Sequence, residues 1–234
     1  MPSVSVCLSP RLADIHDFRD KIGIVVDILR ATTTISTALE YGAIAIRPIE
    51  TLDECKNWRS KGYLGAAERG GKKVEGFEYG NSPFDYINKN ISGEKIALTT
   101  TNGTKTIHAV KTADMVLMGS FCNISALSEV LMDKKKDIII VCAGWDDEIN
   151  LEDTLFAGAL IDGLMDSFDV SADPAILAHN LFLNGKDDMF QFLKKSSHVT
   201  RLLNFGLKKD IYFCLEQDKF DNIAVLKNEE IVLL

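Results

Sequence analysis

Short, continuous apolar runs alternate along the chain with longer segments in which apolar residues recur every three or four positions. Ile22–Ile28 (IGIVVDI) is β-branched and almost uninterrupted, the pattern of a strand buried on both faces. Thr32–Tyr41 then reads as a helix closed by Gly42, where a left-handed cap residue is expected. The same rhythm predicts strands at Ala43–Ile46, Leu64–Ala67, Lys95–Thr99, Met115–Met118 and Asp137–Cys142. It predicts helices at Leu52–Ser60, Thr104–Val110, from an Asn123 cap through Leu131, and at Leu151–Leu164. Most of the chain from Asp173 to Phe205 is helical in pattern, and Ile211–Leu215 and Ile223–Leu234 have strand character. Strand–helix alternation at this spacing specifies an α/β fold: three layers, a mainly parallel sheet with helices on both faces, and a more helical C-terminal part. With neither a repeat nor a Pro/Ser-rich linker, residues 1–234 are expected to form a single domain, with about 151–205 as a candidate helical sub-lobe.

Open α/β sheets bind ligands beyond the carboxyl ends of their strands. Four expected strand ends carry polar clusters: Asp27 to Thr34 (DILRATTT), Glu68-Arg69-Gly70-Gly71, Thr99 to Thr104 (TTTNGT), and Cys142-Ala143-Gly144 leading to Glu152-Asp153. Asp27 is equally good as a helix cap and as a metal ligand or nucleophile. Arg30 with Thr32 and Thr33 beside it makes an oxyanion cradle. Asn102-Gly103 permits a tight turn that brings amide groups close to a ligand, with Thr100 and Thr101 supplying hydroxyls. The stretch Glu68–Ser82 is long for a connection without a job. It reads either as a solvated loop or as an anion-gripping lid using Arg69, anchored by Asn81 and Ser82 ahead of Pro83. Glu152 and Asp153 suit a helix start, and equally suit Mg²⁺, which takes one or two carboxylates and keeps several waters. Asp146, Asp147 and Glu148 read as solvated.

Composition narrows the chemistry. Net charge is −8, against the basic excess that phosphate neutralisation favours in a nucleic-acid binder. No run is long and apolar enough to span a bilayer, and the N-terminus lacks the pattern of a secretory signal. The five cysteines are scattered without a C-x-x-C pair, so a reducing cytoplasm is expected. Gly65-x₄-Gly70 lacks the Lys-Ser/Thr of a nucleotide P-loop. Cys142 is followed after five residues by Glu148, not Arg; Asp27-Ile28-Leu29 lacks a second aspartate; the four histidines lack zinc spacing.

At these segments, VVDILRATTTISTAL (25–39), ERGGKKVEGFEYGNSP (68–83), LTTTNGTKTI (98–107) and VCAGWDDEINLEDTLFAGAL (141–160), the sequence resembles the 2-phosphosulfolactate phosphatase family, known from coenzyme M biosynthesis. The resemblance implies Mg²⁺-dependent hydrolysis of 2-phospho-3-sulfolactate, or a similar small acidic phosphate ester, to 3-sulfolactate and phosphate. The ion is then expected on Asp27 with Glu152 or Asp153, the phosphoryl group on Arg30 with Thr32 and Thr33, and the remaining anionic groups on Arg69, Thr101 and Asn102. Direct attack by Asp27 on phosphorus is the other role open to that carboxylate. The competing class is a non-catalytic protein binding a small anion in the same cleft. The expected partner is a small anionic phosphate ester, with no nucleic acid and no membrane, and with a homodimer as the candidate assembly.

Overall fold

Runs rich in Ile and Val form the strands, and capped amphipathic segments the helices, in the computed structural model, which describes residues 1–234. In chain order the elements are β1 (Val4–Cys7), β2 (Ile22–Val26), α1 (Ala31–Glu40), β3 (Ala45–Pro48), α2 (Leu52–Arg59), β4 (Leu64–Arg69), β5 (Lys72–Lys73), β6 (Lys95–Thr99), α3 (Gly103–Ala109) and β7 (Met115–Gly119). There follow α4 (Ile124–Lys134), β8 (Ile138–Cys142), α5 (Leu151–Leu164), α6 (Asp173–Gly185), α7 (Met189–Leu193), α8 (Ser197–Asn204), α9 (Lys208–Leu215), β9 (Ala224–Lys227) and β10 (Glu230–Leu233). Local chemistry sets several boundaries: Thr51 and Glu54 form a reciprocal capping box at the start of α2, for example.

The expected α/β architecture with a mainly parallel sheet is what the chain adopts. Ten strands make one sheet in the order β1-β8-β2-β7-β9-β10-β3-β6-β4-β5. β1, β8, β2 and β7 pair in parallel, as do β3, β6 and β4. The C-terminal hairpin β9–β10 joins these halves, pairing antiparallel with β7 on one side and with β3 on the other. β3, β6 and β4 therefore run counter to β2 along the ladder. Four strands, β7, β9, β10 and β3, lie between β2 and β6, and at roughly 20–25° of twist per strand the direction turns by more than about 100°. That turn brings the carboxyl ends of the two halves to one cleft.

Successive residues of the central strands face opposite layers. Ile24, Val26, Ile138 and Ile140 pack with Leu127 of α4, Leu155 and Phe156 of α5, Ala178 of α6 and Val199 of α8. Val25, Ile139 and Val141 pack on the other side with Ile35 and Leu39 of α1 and Ile107 of α3. The helices after Leu151 thus share an apolar core with β2 and β8. All five cysteine thiols are buried, and burial pushes Cys7 up to about 11 and Cys122 up to about 12.

Strands β1 and β5 were not read in the sequence, and one segment read as a strand is helical. Ile211–Leu215 is not a strand but the end of α9. A five-residue apolar run has too few positions to separate a period of 2 from one of 3.6. The upstream Asp210 decides the matter: Asp210, Ile211, Phe213, Cys214 and Leu215 are all buried, too many in succession for a two-residue alternation, and Asp210 is drawn inward by Arg30.

Candidate active site

The site begins where β2 ends. Asp27 Oδ1 accepts a hydrogen bond from the Ala31 amide (3.2 Å) and so satisfies one of the unpaired donors at the start of α1. Thr32 Oγ1 donates to the Asp27 carbonyl (3.0 Å) and accepts from the Asp27 amide (3.1 Å), while Thr33 Oγ1 donates to the Ile28 carbonyl (3.1 Å). Thr32 and Thr33 are therefore buried, spend their hydroxyls on the strand–helix turn, and do not line the cleft. They hold Asp27 and Arg30 in place.

The second carboxylate oxygen of Asp27 lies against Gly103. A Cβ on Gly103 would stand 2.6 Å from the Ala31 Cβ and 2.9 Å from Asp27 Oδ2. Gly103 provides close approach between the starts of α3 and α1 and is not among the residues lining the cleft. Gly103→Ala is expected to displace Asp27 or Ala31, costing about 1–3 kcal/mol of stability and at least about tenfold in activity; thermal melting and steady-state rates check both effects.

The cleft is a cavity of about 360 Å³ lined by Asp27, Arg30, Glu68, Arg69, Asn81, Thr100, Thr101 and Asn102, together with Trp145, Asp146, His198 and Arg201. It thus gathers the carboxyl ends of β2, β4 and β6, the loop after β8, and one face of α8. Buried Arg30 donates to Asp210 Oδ2 (2.5 Å) and to the Gly71 carbonyl (2.9 Å), leaving further N–H groups of its five. Arg69 donates only to neutral acceptors, the Glu68 and Glu50 carbonyls and Thr99 Oγ1, so its charge is uncompensated by any bonded carboxylate. Glu68 Oε1 accepts from the Gly71 amide (2.5 Å) and fixes the β4–β5 turn over the cleft. Asn81 is buried with its side-chain oxygen unpartnered. Ser82 stands outside this group: it caps the turn Pro83–Asp85 through the Phe84 amide (3.3 Å) and borders a neighbouring hollow instead.

Glu152 and Asp153 divide into two roles. Asp153 Oδ1 accepts from the Ile28 amide (2.8 Å), and Oδ2 accepts from the Gly144 amide (3.1 Å) and Asn150 Nδ2 (2.9 Å). It ties the ends of β2 and β8 to the start of α5, and three N–H donors leave it poorly placed to hold a cation. Burial, Asp27 and Glu152 push its pKa well above the usual carboxylate range. Glu152 is fully buried, pairs through Oε1 with His198 Nδ1 (2.5 Å), and has no partner for Oε2. Burial pushes Asp27 up to about 6, with Glu68 and Glu152 adding to the shift and the Ala31 amide and His198 opposing it.

An orphaned carboxylate oxygen buried near Asp27 fits a hard divalent cation. No three His, Cys, Asp or Glu side chains form a closed metal cage, and Mg²⁺ does not need one, since one or two carboxylates, waters and a substrate phosphate complete its shell. On that chemistry Asp27 and Glu152 fit better than Asp153.

Four side chains of the cleft were not proposed as site residues from the sequence, Trp145, Asp146, His198 and Arg201, and Glu68 was picked out only as part of the cluster at the end of β4. Asp146 lies in the loop after β8, where position alone was an available signal. Asp146 is exposed, as read, and also borders the cleft, while Asp147 pairs with Lys105 and Arg11. His198 and Arg201 stand one turn apart on α8, a helix with no polar motif to mark it.

Buried acidic side chains and arginines meet in one cleft at the strand ends of an α/β sheet, and the match to a phosphatase family makes this chain a phosphoric monoester hydrolase. The sequence matches the 2-phosphosulpholactate phosphatase family over residues 7–229, and the chain belongs to that family. It is 39% identical over 213 residues to a protein of Thermotoga petrophila, covering 91% of this chain and 92% of that one. It is 36% identical to one of Caldanaerobacter subterraneus subsp. tengcongensis, covering 91% and 90%. With one of Microcystis aeruginosa it shares 34% identity over 96% of each chain. All three bear the name "Probable 2-phosphosulfolactate phosphatase". No helix is long and apolar enough to cross a membrane.

Proposed function

We propose that the chain hydrolyses 2-phospho-3-sulfolactate to 3-sulfolactate and inorganic phosphate, with Mg²⁺ as cofactor. The observation that carries this reading is the convergence on one cleft of Asp27 and Glu68 with Arg30, Arg69 and Arg201, from segments scattered over the chain. A substrate with phosphate, carboxylate and sulfonate on three carbons needs several positive groups close together, on a protein whose net charge is −8. The relatives' names point to the same substrate.

Arg30 is rigidly oriented by Asp210 and Gly71 and directs its remaining donors to the phosphoryl oxygens. Arg69, with Thr100, Thr101 and Asn102, receives the carboxylate and fixes the ester in line with Asp27. Asp27 and Glu152 would hold Mg²⁺, which supplies charge neutralisation at the phosphoryl oxygens and a polarised water. Asp27 is mostly ionised at neutral pH, because its pKa of about 6 lies below it. Solvent ¹⁸O entering phosphate with no trappable intermediate assigns attack to water; ³²P trapped on Asp27 assigns it to the carboxylate.

The test is phosphate release from 2-phospho-3-sulfolactate. Activity is expected with Mg²⁺, lost in excess EDTA, and restored when Mg²⁺ is added back. Binding without release of phosphate would overturn the reading in favour of a simple anion-binding protein, and release indifferent to EDTA would remove the metal.

A further inference from the structure

The arginines that have carboxylate partners are Arg11, Arg19, Arg30, Arg47 and Arg59. Arg201 has none, although it lines the same cleft as three acidic side chains, Asp27, Glu68 and Asp146. Its guanidinium carbon stands 5.5 Å from the Trp145 ring centroid and 5.2 Å from that of Phe205. Such rings attract the cation and cover part of its surface, while its in-plane N–H donors stay available. Trp145 is itself held by stacking on His198 at 5.5 Å with a 10° interplanar angle. Gly70 is nearby, and even an added Cβ there would remain 3.8 Å from Arg201 Nη2, so no side chain crowds the group from that side.

The other two arginines of the cleft are committed. Arg30 is bonded to Asp210 and the Gly71 carbonyl, and Arg69 to the backbone carbonyls of Glu68 and Glu50 and to Thr99 Oγ1. Arg69 also stands beside the hydroxyl and amide side chains of Thr100, Thr101 and Asn102, donors suited to the concentrated charge of a carboxylate. A sulfonate is different: it spreads one charge over three oxygens and is only weakly basic. A weakly hydrated guanidinium flanked by aromatic rings, with its donors unspent, is its natural partner.

We propose that Arg201 is the specificity-determining residue that recognises the sulfonate of the substrate, an assignment that rests on the reading of the cleft as a 2-phospho-3-sulfolactate site. Trp145 and Phe205 position it. The phosphoryl group stays with Arg30, so loss of Arg201 removes discrimination and leaves the hydrolytic machinery in place.

The test compares the wild type, Arg201→Met and Arg201→Lys on 2-phospho-3-sulfolactate and on 2-phospholactate, which carries a hydrogen in place of the sulfonate. Arg201→Met is expected to lower kcat/KM for the sulfonated ester by about 100-fold and for phospholactate by less than about 3-fold. Arg201→Lys, which keeps the charge without the planar fork, should recover part of that loss. Equal falls on both esters, or no fall on either, overturn the proposal. Calorimetric titration of the same proteins with 3-sulfolactate and with lactate separates the two levels of inference. A wild type that releases no phosphate from either ester sinks the phosphatase reading. Arg201-dependent preference for sulfolactate would still uphold the sulfonate assignment, and absence of that preference would end it.

Discussion

Asp27→Asn is expected to abolish turnover while making the folded protein more stable. Asp27 is 8% exposed, and burial with Glu68 and Glu152 nearby raises its pKa from 3.8 to about 6. A carboxyl with a raised folded-state pKa keeps its proton where the unfolded chain has already lost it. Between about pH 4 and pH 6 the unfolded state therefore binds fewer protons, and stability falls as pH rises through that window. At pH 7 the loss is complete and amounts to about 1–3 kcal/mol. Asparagine retains Oδ1 for the Ala31 amide and removes the charge, so the variant should melt several degrees higher at pH 7 and show little difference at pH 4. Activity should fall by at least about 10³-fold if, as proposed, the Asp27 carboxylate serves the reacting phosphoryl group. Thermal melts across pH, paired with phosphate-release assays, check both halves. An active Asp27→Asn enzyme would remove Asp27 from the chemistry, and unchanged pH dependence of stability would refute its raised pKa.

Asp210→Ala has the opposite expected signature, with stability lost first and activity following. Arg30 and Asp210 form an ion pair at 2.5 Å with side-chain exposures of 5% and 9%. Deleting one member of a buried pair leaves the other charged and desolvated, at a cost of about 3–5 kcal/mol. For a chain of this length that corresponds to a fall in melting temperature of roughly 6–20 °C. Arg30 would keep its bond to the Gly71 carbonyl but lose the contact that orients its other edge. Rates measured well below the melting point should therefore fall mainly in kcat, since a misdirected guanidinium stabilises the transition state less than it holds the ground state. A double variant, Arg30→Met with Asp210→Leu, should recover much of the stability and none of the activity, which distinguishes a lost ion pair from a general packing defect.

Much of the fold was legible along the chain because its signals are local. Ile22–Val26 and Ile138–Cys142 are uninterrupted apolar runs, and both are central strands. The clusters at Asp27, Glu68 and Thr100–Asn102 lie at strand ends and line the cleft. Within those clusters, side-chain direction was not legible. Thr32 and Thr33 have the residue type of an anion cradle, but their hydroxyls turn back to the backbone of β2's end, as threonines at a helix start readily do. Ser82 caps a turn for the same reason, and Gly103 is required for space.

The amino-acid order by itself determined most of the strands and helices and the family, because hydrophobic period, capping residues and contiguous motifs each act over a few neighbouring positions. The tertiary structure alone decided that the C-terminal hairpin splices the two parallel halves of the sheet, that Arg30 meets Asp210 across 180 positions, and that α8 delivers His198 and Arg201 to the cleft. Those contacts depend on how twisted layers pack and on which buried charges find partners. The free energy of such a meeting belongs to both segments together, so neither carries a local pattern that announces it.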